Sequence, residues 1–159
     1  MGREIRKVPA NWQHPKDENG RFVPLFGSSW YKAVAEWDEE LAKWNEGLCR
    51  AYGDQEKWRP KDEDELKYTF EEWSGRRPEK DDYMPEWGES ELTHIQLYET
   101  TSEGTPKSPV FAKGDFEKLC EYAAENCTTF ATFKASKEDW VAMLSDGLVF
   151  HQSGNMIFI

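Results

Sequence analysis

The feature that most constrains the fold is a regular spacing of large apolar residues between positions 30 and 48. They recur at alternating steps of four and three, the repeat of an α-helix with one apolar face: Trp30, Val34, Trp37, Leu41, Trp44 and Leu48. Ser28 or Ser29 can cap this helix, and Gly53 can end it. Packing into the core is the simpler interpretation of the stripe. The alternative is a seam between helices of two chains.

The remaining patterns predict a mixture of helices and strands. Helices are expected over Asp62–Trp73, from Asp115 and from Ser136, each opened by a capping side chain. Strands are expected at Leu92–Thr100 (which would also fit a short helix), at Val110–Phe111, at Thr128–Phe133, and in a C-terminal hairpin of Leu148–Phe150 with Met156–Ile159. Residues 1–27 contain three prolines and predict an extended arm packed on the body. We therefore predict one α+β domain over residues 1–159, with about four helices and a small, mostly antiparallel sheet.

Charge and composition exclude several classes of function. The net charge is −11, and such a chain repels nucleic acid and anionic membranes because phosphate binding requires cationic side chains. No apolar run is long enough to cross a bilayer, and no signal peptide is visible. Three cysteines without a framework spacing suit a reducing compartment. We therefore expect a cytoplasmic protein that neither binds nucleic acid directly nor enters membranes; its oligomeric state stays open.

The acidic excess is concentrated between residues 54 and 91, which hold 14 carboxylates against seven lysines and arginines. One interpretation is a solvated face that maintains solubility. The other is a surface that binds a basic groove on another protein by imitating the charge of nucleic acid. The residues predicted to form this binding surface are Asp62, Glu63, Asp64, Glu65, Glu71, Glu72, Asp81 and Asp82.

Motifs for catalysis or cofactor binding are missing. The histidines and cysteines lack the spacing of metal ligands, and the glycines form no phosphate-binding loop, so neither a metal nor a cofactor is expected. The sequence does not decide whether the chain is an enzyme, although the lack of a nucleophile motif favours a non-catalytic function. The alternative ligand site lies around the predicted strand and the loop that follows it, at His94, Tyr98, Ser102 and Thr105.

Several stretches carry a resemblance to a known group of proteins. They are Arg3–Trp12 (REIRKVPANW) with His14 and Pro15, Tyr83–Pro85, Gln96–Pro106 (QLYETTSEGTP) and Ser108–Phe111. The chain resembles a family of small uncharacterised proteins encoded in bacteriophages and prophages, and the resemblance names no activity. It implies a protein that acts in the cytoplasm of a bacterial host by binding and inhibiting a host protein, such as a CRISPR or restriction-type defence nuclease. A small-molecule or nucleotide binder, or a minor enzyme, centred on residues 94–109 is the alternative, and a phage accessory or assembly protein is a further one.

Overall fold

A computed structural model of the 159-residue chain describes residues 2–102, 104–128, 133–150, 152–153 and 156–158. The strands are β1 (Arg3–Val8), β2 (Leu48–Ala51), β3 (Asp54–Pro60), β4 (His94–Glu99), β5 (Thr105–Pro106), β6 (Phe111–Ala112), β7 (Gln152–Ser153) and β8 (Met156–Phe158). The helices are α1 (Trp30–Asn45), α2 (Phe70–Ser74), α3 (Phe116–Asn126) and α4 (Lys137–Phe150). Short 3-10 turns cover Glu65–Lys67, Lys80–Asp82, Glu89–Glu91 and Lys113–Asp115. The α+β class is confirmed.

The chain forms two compact units. Met1–Ser28 and Asp81–Ile159 make the larger one, which we call the sheet unit, and Ser29–Lys80 make the smaller one, which we call the tryptophan unit. None of the helices in the described part of the chain combines the length and the apolar character needed to cross a membrane.

The sheet unit is organised around β1, which lies in the middle of an antiparallel sheet. The strand order is β5-β4-β1-β8-β7, and β6 also pairs with β4. The register of β1 with β4 runs from Arg3 opposite Glu99 to Val8 opposite His94. The sequence analysis predicted an extended arm over residues 1–27 without a strand in it, and in the structure residues 3–8 of that segment form a central strand. The strand predicted at Leu92–Thr100 is confirmed as β4.

Both faces of this sheet are covered. Side chains alternate along a strand, so Ile5, Ile95 and Leu97 lie on one face and are buried in a core with residues of α3 and α4. Val8 and Tyr98 lie on the other face, buried with Leu25 from the N-terminal segment and with Met84. Residues after β1 thus cover the sheet as an ordered layer, as the arm prediction proposed for this part of the segment.

The C-terminal predictions were partly correct. Ser136 and Asp139 exchange backbone N–H to side-chain oxygen hydrogen bonds, both 3.2 Å long, at the start of α4. Helix α4 continues through residues 148–150, so the predicted first strand of the hairpin is helical. A smaller antiparallel pair forms instead between β7 and β8. The strand predicted at Thr128–Phe133 falls largely on residues 129–132, which lie outside the described residues.

The tryptophan unit contains the predicted first helix and a hairpin that the sequence did not indicate. Ser29 caps α1 by accepting a hydrogen bond from the backbone N–H of Lys32. The helix ends at Asn45 instead of near Gly53, and Gly47 has a φ of 89°, a left-handed conformation that favours glycine. Leu48, the last member of the apolar stripe, lies in β2, which pairs with β3.

The stripe on α1 packs within its own unit. Trp37 contacts Phe70, and Trp44 contacts both Phe70 and Trp73, with ring centroids 5.0 to 6.0 Å apart. Three indole N–H groups, one every two turns of α1, donate to backbone oxygens of the following chain: Trp30 to Pro78 at 3.0 Å, Trp37 to Gly75 at 3.2 Å and Trp44 to Tyr68 at 3.2 Å. Of the two interpretations of the stripe, core packing is the one observed.

Candidate functional site

Residues 62–75, which we call the acidic segment, carry most of the predicted binding residues. The single helix predicted over Asp62–Trp73 is replaced by a 3-10 turn at Glu65–Lys67 and by α2 at Phe70–Ser74. The break occurs at Thr69, which is extended (ψ 161°) and caps α2 by accepting from the backbone N–H of Glu72. Within this segment only Glu65 and Phe70 are buried. All other residues of the segment are exposed, so Glu65 and Phe70 are the two side chains that fix it to the rest of the unit.

Glu65 was predicted to lie on the binding surface, and this is wrong because it is only 1% exposed. Arg59 holds it with two hydrogen bonds of 2.7 and 2.9 Å, one to each carboxylate oxygen. The backbone N–H of Asp62 and the thiol of Cys49 also donate to it, at 3.0 and 3.1 Å. The bonds from Arg59 lower the pKa of Glu65 to about 2, and burial together with this carboxylate raises the pKa of Cys49 to about 11. Glu65 is a structural ion-pair partner, and Cys49 is held as a thiol.

The remaining predicted carboxylates of the acidic segment are exposed: Asp62, Glu63, Asp64, Glu71 and Glu72. Asp64 pairs with Lys67 at 3.1 Å, and Glu72 accepts from the Thr69 hydroxyl at 3.0 Å. For Glu63 and Glu71, no lysine or arginine of the described residues lies within ion-pair distance. Their charges are therefore available to a partner. Asp81 and Asp82 are exposed as well, but they belong to the sheet unit.

The acidic segment also forms one wall of an aromatic cavity. The cavity has a volume of about 610 Å³ and is lined by Trp37, Leu41, Trp44, Lys61, Tyr68, Phe70 and Glu71, among others. Lys61 places its ammonium 4.2 Å from the centroid of the Trp44 ring, so a cation already lies over one aromatic wall. Tyr68 and Trp73 are 45% and 50% exposed. Aromatic faces and an unpaired carboxylate are thus found in the same stretch of surface.

The alternative ligand site of the sequence analysis is not assembled as one cluster. Ser102 and Thr105 do come together, with their hydroxyl oxygens 2.6 Å apart. His94 lies at the other end of β4, where its Nδ1 is 2.7 Å from the Thr93 hydroxyl. Tyr98 is fully buried, and burial raises its pKa to about 12.

Tyr98 instead belongs to a buried network that the sequence analysis missed. Its hydroxyl accepts from the indole N–H of Trp12 at 3.0 Å and lies 2.9 Å from Nδ1 of His14. Nε2 of His14 contacts the backbone oxygen of Val23, which can only accept, so Nε2 carries the proton and the Tyr98 hydroxyl donates to Nδ1. Burial lowers the pKa of His14. The pairing of an isolated histidine with a residue 84 positions away had no local signal in the sequence.

A buried ion pair lies beside this network on the same face of the sheet. Arg6 contacts a carboxylate oxygen of Glu4 at 2.6 to 2.7 Å, donates to the backbone oxygen of Leu25 at 2.8 Å, and lies 4.2 Å above the Tyr98 ring. Burial raises the pKa of Glu4, although Arg6 opposes the shift. Arg6 thereby anchors the N-terminal layer to the sheet through Leu25, while the second carboxylate oxygen of Glu4, Oε2, is buried without a hydrogen-bond partner among the described residues.

A second cavity, which we call the arm cavity, lies between this layer and β4. It has a volume of about 570 Å³ and is lined by Trp12, Gln13, His14, Lys16, Phe22 and Gln96, together with three apolar neighbours. Within the described residues, no three His, Cys, Asp or Glu side chains converge to hold a metal ion.

No protein-family model, no curated protein and no solved structure matches this chain. The function is therefore inferred from the sequence and from the sites described above.

Proposed function

We propose that the chain is a protein-binding inhibitor whose acidic segment docks into a basic cleft of another protein. In the form implied by the phage resemblance, the chain is phage-encoded, the partner is a defence nuclease of the bacterial host, and the cleft is the one that would otherwise hold nucleic acid. The observation that supports this most directly is the composition of the segment's exposed surface, where five carboxylates face solvent with Lys67 as their one cationic neighbour in the segment.

Charge alone would give attraction without specificity. Long-range electrostatics speeds encounter with a basic surface, but specific affinity comes from buried anchor side chains. The tryptophan unit offers such anchors, since its large exposed apolar residues include Tyr52, Leu66, Tyr68 and Trp73. Tyr68 precedes α2 and Trp73 lies within it, so the partner can bury aromatic surface where it also neutralises carboxylates.

The aromatic cavity indicates which kind of side chain the partner would insert. A guanidinium or ammonium group binds favourably over an aromatic face, and most strongly over tryptophan. The position of Lys61 over Trp44 is an internal example of that contact. Glu71 lines the same cavity and supplies an opposite charge. We therefore expect an arginine or lysine of the partner's nucleic-acid cleft to enter between Trp37, Tyr68 and Glu71.

The test measures inhibition of DNA cleavage by a panel of RNA-guided and restriction-type nucleases, titrated with the chain at low and high salt. Inhibition by the native chain should weaken as salt rises, because screening shortens the range of the attraction. The variant Glu63→Lys/Glu71→Lys should raise the inhibitory concentration by about tenfold or more.

The matched control is Glu36→Lys/Glu79→Lys, which makes the same charge change at two exposed positions of the same unit. If both double variants lose inhibition equally, net charge alone is responsible and docking through the acidic segment is wrong. If the native chain inhibits no nuclease of the panel and binds none of them in a direct titration, the proposed target class is wrong.

A further inference from the structure

A tight hairpin turn over residues 17–21 forms the tip of the N-terminal layer, and all of its residues are exposed. The backbone N–H of Asp17 donates to the carbonyl of Arg21 at 2.8 Å, and the N–H of Gly20 donates to the carbonyl of Asp17 at 3.0 Å. The Asp17 carboxylate accepts from the backbone N–H groups of Asn19 and Arg21 at 2.9 and 3.0 Å. Gly20 has a φ of 77°, a left-handed conformation that favours glycine.

The side-chain amide of Asn19 is free of the contacts that hold this turn. Only its backbone N–H is hydrogen-bonded, and the part of the chain that the structure describes offers its side chain no partner. The next peptide nitrogen belongs to Gly20, which has no side chain to shield that nitrogen. Asn19 is the one asparagine of the sequence that glycine follows. Its side-chain carbonyl carbon therefore meets an unhindered peptide nitrogen whenever the turn opens.

We propose that Asn19 is a site of spontaneous deamidation and that Asp17 sets its rate. After hydroxide removes the peptide proton of Gly20, the nitrogen attacks Cγ of Asn19 and forms a five-membered succinimide. The side-chain nitrogen leaves as ammonia, with a proton taken from water that regenerates the hydroxide. Water then adds to one of the two carbonyl carbons and breaks its bond to the nitrogen, which yields aspartate or isoaspartate. This inference concerns the sheet unit and does not depend on the proposed docking of the acidic segment.

The hydrogen bonds of the turn explain why Asp17 controls this reaction. The proton that must leave Gly20 is the one bonded to the Asp17 carbonyl, so the reaction proceeds from the open form of the turn. Bonds to the Asp17 carboxylate stabilise the closed form, and bonds to a charged acceptor are stronger than neutral ones. Because exposed turns open at a low cost in free energy, the native chain should react more slowly than the unfolded chain, but by less than about a hundredfold.

Deamidation changes the wall that this hairpin supplies to the arm cavity. Lys16 and Phe22 line that cavity and face each other across an antiparallel bridge at the base of the turn. Isoaspartate places an extra methylene in the main chain, so the loop between them becomes longer and the bridge loses its register. Amide exchange at Val23, which donates to the Pro15 carbonyl at 3.0 Å, should therefore quicken in the isoaspartate form.

The experiment follows the full chain during incubation at mildly alkaline pH, by tryptic digestion and mass spectrometry. Lys16 and Arg21 are cleavage sites, so residues 17–21 are released as one peptide. That peptide should gain the mass of deamidation and separate into aspartate and isoaspartate forms on chromatography. The same chain unfolded in urea gives the reference rate.

Three other asparagines are internal controls. Asn11, Asn45 and Asn126 are also exposed, but tryptophan, glutamate and cysteine follow them, so their peptides should stay unmodified over the same time. The proposed site is wrong if these peptides react as fast as residues 17–21. It is also wrong if the native chain shows no deamidation at Asn19 within about a hundred half-times of the unfolded chain.

A pair of variants tests the function of Asp17. Asp17→Ala removes both bonds to the carboxylate, and the native chain should then deamidate about fivefold faster or more. Glu18→Ala is the matched control, because it removes the same charge from the adjacent position. Glu18 makes no hydrogen bond or ion pair within the described ranges, so its loss should leave the rate unchanged. Equal rates in the two variants would overturn the control by Asp17.

Discussion

Trp44 donates its indole N–H to the backbone oxygen of Tyr68 across 3.2 Å, and so fixes the acidic segment to the helix that precedes it. Trp44 is buried, while Tyr68 is 45% exposed. The bond therefore fixes the backbone of Tyr68 and leaves its ring accessible to a partner. Trp37 and Trp30 repeat the arrangement further along the chain, at Gly75 and Pro78.

Replacing Trp44 by phenylalanine tests this attachment. Trp44→Phe keeps an aromatic ring but leaves the Tyr68 oxygen without its donor, so we expect the free energy of unfolding to fall by about 1–3 kcal/mol. Amide hydrogen exchange over residues 68–75 should quicken more than exchange elsewhere in the tryptophan unit. Trp58→Phe is the control, because no hydrogen bond from the Trp58 indole is found among the described residues. Equal effects of the two variants on exchange in 68–75 would count against the attachment.

The ion pair of Glu65 with Arg59 predicts an acid-sensitive tryptophan unit. Arg59 holds the pKa of Glu65 at about 2, against an ordinary value of 4.5. Because the carboxyl binds its proton more readily when unfolded, the stabilisation is complete above pH 4.5 and is lost as the pH falls from there towards 2. Glu65→Gln should lower the free energy of unfolding at neutral pH and flatten its dependence on pH in that window. Unfolding in urea at a series of pH values, followed by tryptophan fluorescence, gives both quantities.

Arg59→Gln should flatten the same window, since it removes the main cause of the lowered pKa. A variant without Arg59 that kept the native pH profile would show that the surrounding backbone N–H groups, and not the guanidinium, stabilise the carboxylate.

Gly104 is a position where only glycine fits. Its φ is 102°, and a Cβ built on it would lie 1.8 Å from the backbone oxygen of Leu25. Gly104→Ala should therefore destabilise the sheet unit by more than about 1 kcal/mol, through both backbone strain and the clash. Gly114→Ala is the matched control, because a Cβ at Gly114 meets nothing within 4 Å, and its effect should stay under about 1 kcal/mol. Thermal unfolding of both variants checks the difference, and equal melting temperatures would contradict it.

His14 predicts a second pH dependence, located in the sheet unit. Burial lowers its pKa below the ordinary value of 6.5, so the unfolded chain takes up the proton first. Stability should therefore be complete above pH 6.5 and decline as the pH falls below it, towards the lowered pKa of the folded state. His14→Phe should be less stable than the native chain at neutral pH but should lose less stability on acidification. Nitrogen NMR of the His14 ring should show the proton on Nε2, and a proton on Nδ1 would contradict the hydrogen-bond assignment.

Local patterns in the sequence predicted local structure well. The α1 stripe, the capping pair Ser136 and Asp139, and the apolar run of β4 each depend on neighbours within a few residues. The misses come from pairing over long distances. Arg3–Val8 was included in the predicted arm because prolines follow it, and since four of its six residues are charged, no local alternation of apolar residues indicated a central strand.

The candidate sites divide in the same way. The exposed carboxylates could be predicted from the density of charge in the sequence. The burial of Glu65 could not, because it depends on Arg59, which lies on a hairpin that no turn motif in the sequence indicated. The arm cavity needs Gln96 next to residues 12–22, a contact set by the register of the sheet and by the path of the covering layer. Neither the burial of Glu65 nor the arm cavity can be predicted from the spacing of nearby residues.

The central place of β1 has a consequence for how the polypeptide is made. Its first residue pairs with Glu99, 96 positions later, and at the usual rate of synthesis the ribosome needs on the order of ten seconds to cover that distance. During this interval the nascent strand has neither of its neighbours, β4 nor β8, and its unpaired backbone groups are open to other chains or to a chaperone. The tryptophan unit, which consists of 52 consecutive residues, can fold in the meantime. Translation speed between these two regions should therefore govern the yield of native protein.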